Sequence, residues 1–235
     1  MPDGRKGNLL VLLEVIVQSV SDAREAARGG ADRLEVVRNL EAGGLTPAHE
    51  LVRDIAAEVS LPLRVMVREN DGYSTHPAER TALADAAARF ADLGIDGLVI
   101  GFACDGQPQI DRVIDVVPAA VNVTFHRAFD QLADPRGAIA TLAAVDQIDR
   151  VLTSGGNGES VKRCERLHEY QALAGSRLTI VAGGGLDEDL LRLLARRHVV
   201  REIHVGRAAR ADQRLDGAVS AASVRRLRTL LDSAN

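Results

Sequence analysis

Short apolar runs alternate along this chain with longer stretches in which apolar positions recur at helical spacing. The runs predict strands over 9–17, 33–37, 62–67, 97–101, 121–125, 150–153, 178–182 and 202–205. Between them the pattern predicts helices. One covers 22–28 and ends at Gly29-Gly30; another opens on Thr46-Pro47, read as an N-cap with proline at the first helical position. Others start at His76-Pro77 and Asp134-Pro135, and further ones cover 108–116, 159–174, 187–197 and 218–231. Several strands are apolar on consecutive residues, as strands covered on both faces must be. Eight strand–helix units in succession predict an α/β fold, a (β/α)8 TIM barrel. A weak repeat at the helix-to-strand junctions agrees: Gly30-Ala31-Asp32-Arg33-Leu34, Gly94-Ile95-Asp96-Gly97-Leu98 and Gln147-Ile148-Asp149-Arg150-Val151. No Ser/Pro-rich linker divides the 235 residues, so one domain over 1–235 is expected.

Composition narrows the function classes. The chain is 46% hydrophobic and 26% charged, which fits a globular protein. Its 29 basic and 33 acidic residues leave a net charge of −4, so no nucleic acid or membrane partner is expected. It has no Trp, two Tyr and four Phe, too few aromatic faces for stacking on single-stranded bases. The apolar 9–17 run carries Glu14 at its centre, which argues against a signal peptide. Cys104 and Cys164 lie far apart and form no metal or disulfide motif, so a reduced, cytoplasmic setting is expected.

In such a barrel chemistry gathers at the C-terminal ends of the strands. Glu14 and Glu35 interrupt otherwise apolar strands, and buried carboxylates are costly unless paired, hydrogen-bonded or metal-bound. They could supply an acid and a base, hold a metal together with His126, or simply pair with arginines inside the barrel. Arg68, after the third strand, could grip an anion or neutralise Glu14 or Glu35. His126, in Thr124-Phe125-His126-Arg127, is the main candidate for general acid or base. Arg127 and Asp130 are candidates for holding the ligand, with Asp130 favoured as a residue that orients an arginine. Thr153-Ser154-Gly155-Gly156 offers hydroxyls to a ligand or is a plain turn. Gly183, Gly184, Gly206 and Arg207 sit after strands seven and eight, where barrels commonly bind phosphate through backbone N–H groups. His204 could face the mouth or be an ordinary strand residue. Cys104 lies on the loop side of strand four and Cys164 on a helix. The arginines over 192–197 and 225–228 read as solvated helix faces.

Five strings resemble the CutC family: Leu13-Glu14-Val15, the Gly30–Glu35 segment, Gly43-Gly44-Leu45-Thr46-Pro47, Val123-Thr124-Phe125-His126-Arg127-Ala128-Phe129-Asp130, and Val151-Leu152-Thr153-Ser154-Gly155. The resemblance runs from about Leu9 to Arg207. It implies a TIM barrel, a link to copper homeostasis, a cytoplasmic location and a homodimer or larger homo-oligomer. Copper-linked members of the family carry cysteines beside the two strand glutamates, where this chain has Val15, Ile16, Val36 and Val37. Cu(I) prefers thiolate and thioether ligands, so Glu14, Glu35 and His126 would better suit a harder or borderline divalent ion, or no metal. Two readings result. One is an enzyme-like site for a small anionic, sugar- or phosphate-like molecule, with isomerase or lyase chemistry run by Glu14, Glu35 and His126. The other is a copper- or metal-binding protein without turnover.

Overall fold

Strands that are apolar on both faces need cover on both, and this chain provides it by closing the sheet on itself. The computed structural model describes residues 11–233. Its eight barrel strands are β1 (Leu12–Val17), β2 (Arg33–Val36), β3 (Leu63–Met66), β4 (Gly97–Ile100), β5 (Val123–Phe125), β6 (Ile148–Thr153), β7 (Thr179–Ala182) and β8 (Glu202–Val205). Each pairs in parallel with its sequence neighbours, and β8 closes on β1. The outer ring consists of α1 (Val20–Gly29), α2 (His49–Glu58), α3 (Pro77–Ala91), α4 (Ile110–Ile114), α5 (Pro135–Ala143), α6 (Ser160–Ala174), α7 (Glu188–Arg197) and α8 (Ala221–Asp232). The (β/α)8 barrel expected from the pattern is the observed fold. Residues 9 and 10 of the first predicted strand lie outside the described residues.

Several helix starts follow the local chemistry. Ser19 Oγ accepts from Asp22 N, His76 caps α3 ahead of Pro77, Asp134 caps α5 ahead of Pro135, and Asp187 caps α7. Gly30 ends α1 with φ 93°, a left-handed conformation open to glycine. Thr46 departs from expectation. The helix begins at His49, and Thr46 Oγ1 instead donates to Arg68 O and accepts from Arg68 N, tying the loop after β2 to the end of β3. An exchange with a neighbouring strand end satisfies that hydroxyl as fully as a cap would.

Register sorts the side chains. Leu13, Val15, Val17, Leu34 and Val36 face outward, fully buried against the helices. Glu14 lies beside Arg33 and His204, Ile16 beside Glu35, and Glu35 beside Arg64, so all of these face inward. The N-terminal half of the barrel interior is therefore ionic. Arg33 bridges Glu14 and Glu202 (Nη2–Oε2 2.5 Å), Arg150 Nε also reaches Glu202 at 2.9 Å, and Arg64 binds Asp96 at 2.6 Å and Asp149 at 2.7 Å. Nearer the mouth lies a small apolar cluster of Ile16, Val37, Leu40, Met66 and Val99. The ionic floor consumes the carboxylates at the base.

A candidate active site at the barrel mouth

A cavity of about 600 Å³ opens at the C-terminal ends of the strands. Glu35, Arg68, His126, Arg127, Gly184, Gly206 and Arg207 line it, as do Met66, Tyr73 and His204. Residues from seven strands or their loops thus converge on one rim. Glu14 does not reach the cavity. It is 2% exposed and lies between Arg33 and His204, its register partners on β2 and β8.

The acid–base geometry centres on Glu35. Glu14 Oε1 stands 2.7 Å from His204 Nδ1, and Glu35 Oε2 stands 3.2 Å from the same nitrogen. That nitrogen's hydrogen bond goes to Glu14, and Glu35 Oε2 is left buried with no hydrogen-bond partner among the described residues. Burial pushes the Glu35 carboxyl up to about 7 despite the nearby His204, with Glu14 adding repulsion. Burial acts on Glu14 in the same direction, but Arg33 and His204 outweigh it and hold Glu14 well below the usual carboxylate range. Burial would lower His204; the Glu35 and Glu14 carboxylates reverse that and raise it. Two carboxyls on adjacent strands are thus driven apart, one kept ionised and one poised near neutrality.

His126, expected as a general acid or base, is held in one tautomer. Its Nδ1 accepts from Ala128 N at 3.1 Å, so the lone pair is occupied and the neutral ring carries its proton on Nε2. Burial, with Arg68 and Arg127 nearby, drives it down to about 3. His126 is therefore a neutral hydrogen-bond donor at physiological pH. It packs edge-on against Tyr73, whose ring lies 5.0 Å from the Arg68 guanidinium carbon.

Arg68 neutralises neither Glu14 nor Glu35. Its guanidinium donates to the carbonyls of Gly43, Asp71 and Gly72, clamping two mouth loops together. Asp130 holds Arg127 at 2.9 Å and accepts from Thr153 Oγ1 and Ser154 N. Ser154 does not line the cavity. Its amide binds Asp130, its Oγ accepts from Gly156 N and its carbonyl accepts from Arg163, so the plain-turn alternative describes it. Gly183 also stays behind the lining; a Cβ there would sit 2.6 Å from Leu152 Cδ1 and 2.9 Å from His204 Cδ2. Cys104 is exposed on a short ribbon after β4, away from the cavity, and Cys164 is buried on α6.

The three residues whose ligand atoms come together are Glu14, Glu35 and His204, within 4.8 Å of one another; His126 is not among them. His204 was legible in one respect: in Glu202-Ile203-His204-Val205 polar and apolar residues alternate, so Glu202 and His204 share the inward face. Tyr73 and Met66 carried no comparable signal.

A parallel eight-stranded barrel with an ionisable cluster at its mouth defines the class of protein. The comparisons with known proteins then fix the family. The CutC family model matches residues 11–209, and this chain belongs to that family. It is 38% identical over 199 residues to a family protein CutC of Klebsiella pneumoniae, covering 83% of this chain and 79% of the relative. It is 35% identical over 201 residues to the copper homeostasis protein cutC homolog of Homo sapiens, covering 83% and 73%. Among solved structures, a copper homeostasis protein CutC from Streptococcus agalactiae superposes with a TM-score of 0.76 at 21% identity, covering 83% of this chain and 98% of that one.

The metal implied by the family name is copper, and the donors here do not suit Cu(I). The clustered groups are two carboxylates and an imidazole, where Cu(I) takes thiolates and thioethers. Glu14 is already ion-paired to Arg33, and Met66 is the one sulfur among the described lining residues.

Proposed function

We propose that this chain is an enzyme that binds a small anionic, sugar- or phosphate-like molecule at the barrel mouth and transforms it by acid–base chemistry of the isomerase or lyase type. The observation that carries the reading is the Glu35 carboxyl: buried, on the cavity lining, with Oε2 making no hydrogen bond among the described residues though 3.2 Å from His204 Nδ1, and with its proton affinity raised by burial to about 7. Such a group takes a proton from carbon or oxygen and returns it, the task for which a pKa near the working pH is best. His126 Nε2–H supplies a neutral donor for an oxygen on which charge develops. Glu14, behind the lining, and His204, on it, act on Glu35 as positioning residues. Arg127 and Arg207 supply positive charge at the rim. Isomerase and lyase chemistry of this kind needs no activated nucleophile and no redox cofactor.

The test is proton exchange. The purified protein is incubated in deuterated buffer with a panel of small hydroxy-carbonyl acids and sugar phosphates. Deuterium uptake beside the carbonyl is followed by NMR. Uptake that depends on Glu35 and drops at least ~100-fold in Glu35→Gln is expected. No exchange with any compound, or exchange unchanged in Glu35→Gln and His126→Asn, would overturn the reading. Metal analysis and copper titration of untagged protein address the alternative. Tight, stoichiometric copper that survives Cys104→Ser would replace an enzyme with a metal-holding protein.

A further inference from the structure

The loops after β7 and β8 are held by arginines that bind no carboxylate among the described residues. Arg163, on α6, donates through Nε to Ser154 O (2.9 Å), through Nη2 to Gly184 O (2.9 Å) and through Nη1 to Gly185 O (3.0 Å). Arg210, fully buried, donates to Gly206 O (2.6 Å) and Gly217 O (2.9 Å). Arg68 does the same for the loops after β2 and β3. The arginines at the other end of the barrel, Arg33, Arg64 and Arg150, are all matched by carboxylates. The lining carries Arg68, Arg127 and Arg207, with Arg127 held by Asp130 at 2.9 Å, while Arg163 and Arg210 stand behind it with only backbone carbonyls as hydrogen-bond partners among the described residues. The acidic groups on the lining are Glu35, Glu41, Asp71 and Asp187, and Asp187 is engaged in capping α7.

These clamps also aim the backbone. In a planar trans peptide the N–H points opposite to the C=O that precedes it. With the carbonyls of Gly184, Gly185 and Gly206 drawn onto guanidinium groups, the N–H groups of Gly185, Leu186 and Arg207 turn the other way. All three residues line the cavity, and none of the three N–H groups has an acceptor among the described residues. Arg127 stands beside them: a Cβ on Gly184 would lie 2.9 Å from its Nε. Unpaired backbone donors with an adjacent guanidinium make an anion cradle.

We propose that the ligand is a phosphate monoester whose phosphoryl group seats on the N–H groups of Gly185, Leu186 and Arg207 and on the Arg127 guanidinium, with Arg163 and Arg210 as the residues that orient those amides. This rests on the acid–base reading above and deepens it. It fixes which end of the cavity takes the charge and leaves the carbon skeleton for Glu35 and His126.

The experiment uses the whole protein, labelled with nitrogen-15, and inorganic phosphate as the probe, with acetate at matched ionic strength as the control. Phosphate is expected to shift the Gly185, Leu186 and Arg207 amide resonances saturably. Acetate is expected to do so at least ~10-fold more weakly. Arg127→Gln and Arg163→Met should each weaken the phosphate response by ~10-fold or more. Arg163→Lys, which keeps the charge and loses the fork, should weaken it as well. The outer-face variant Arg192→Gln should respond as the parent does. Circular dichroism checks that each variant is folded; if Arg163→Met is not, the parent and Arg127→Gln decide. Amides that phosphate leaves unmoved, or that acetate moves equally, overturn the proposal. If phosphate fails while a phosphate-free acid undergoes Glu35-dependent exchange, this inference falls and the acid–base reading stands. Phosphate seating without any exchange gives the reverse.

Discussion

Replacing Glu35 by Gln keeps the side chain's shape and removes its charge, so the pH dependence of stability isolates that carboxyl. In the folded protein it titrates near 7, against 4.5 for the ordinary group. The folded state then binds its proton more tightly than the unfolded state. Its contribution to stability is fully present below about pH 4.5 and is lost as pH rises through about 7. At ~1.4 kcal/mol per pKa unit the loss is roughly 3 kcal/mol. His204, also raised, loses its contribution in the same direction as pH climbs. Urea unfolding of parent and Glu35→Gln at a series of pH values gives the difference directly. Far-UV circular dichroism is the signal of choice, because the chain has no Trp. The stability of the parent relative to the variant should fall by about 3 kcal/mol between pH 4.5 and 8 and then level off. A flat difference would mean an ordinary solvated carboxyl. A difference that rises with pH would mean a paired one, and either result would remove the basis for Glu35 as the proton-transfer group.

Arg33→Met leaves Glu14 without its guanidinium in a buried setting and should cost on the order of 3–5 kcal/mol in urea unfolding, whereas a loss under ~1 kcal/mol would contradict the ionic floor. Thr124 Oγ1 is buried without a hydrogen-bond partner among the described residues, so Thr124→Val should stabilise the fold by about 1 kcal/mol, read from the same denaturation midpoint. Gly183→Ala places a methyl against Leu152 and His204 and should cost ~1–3 kcal/mol in thermal unfolding. In a competition titration, Cu(I) chelated by a soft-ligand indicator should stay with the indicator, equally in the parent and in Cys104→Ser.

The alternation of apolar runs and helical stretches was enough to give eight units and a parallel barrel, because strands such as Leu12–Val17 and Gly97–Ile100 are apolar where only a sheet covered on both faces tolerates it. Local caps at Ser19, His76, Asp134 and Asp187 follow from residue type and spacing, since their partners lie within one helical turn. Thr46 misleads for the opposite reason: its partner, Arg68, comes from the next strand.

The site shows the same division. That Glu14 and Glu35 face the barrel interior was legible, as period-two alternation fixes which way they face, whereas the depth that keeps Glu14 out of the cavity was not. Nor were their roles. Glu14 and Glu35 carry the same chemistry on neighbouring strands, and only the barrel's stagger gives Arg33 to one and denies it to the other. Nδ1 of His126 is taken by a single contact with the Ala128 amide, a matter of local backbone conformation, which leaves Nε2–H as the free donor. His204 joins the cluster from almost the far end of the chain. Residue type and periodicity thus determine the barrel and the inventory at its rim. The proton affinities and donor directions depend on which groups meet across the closed ring and on how deeply each is buried, and those follow from distances that exist only once the ring has closed.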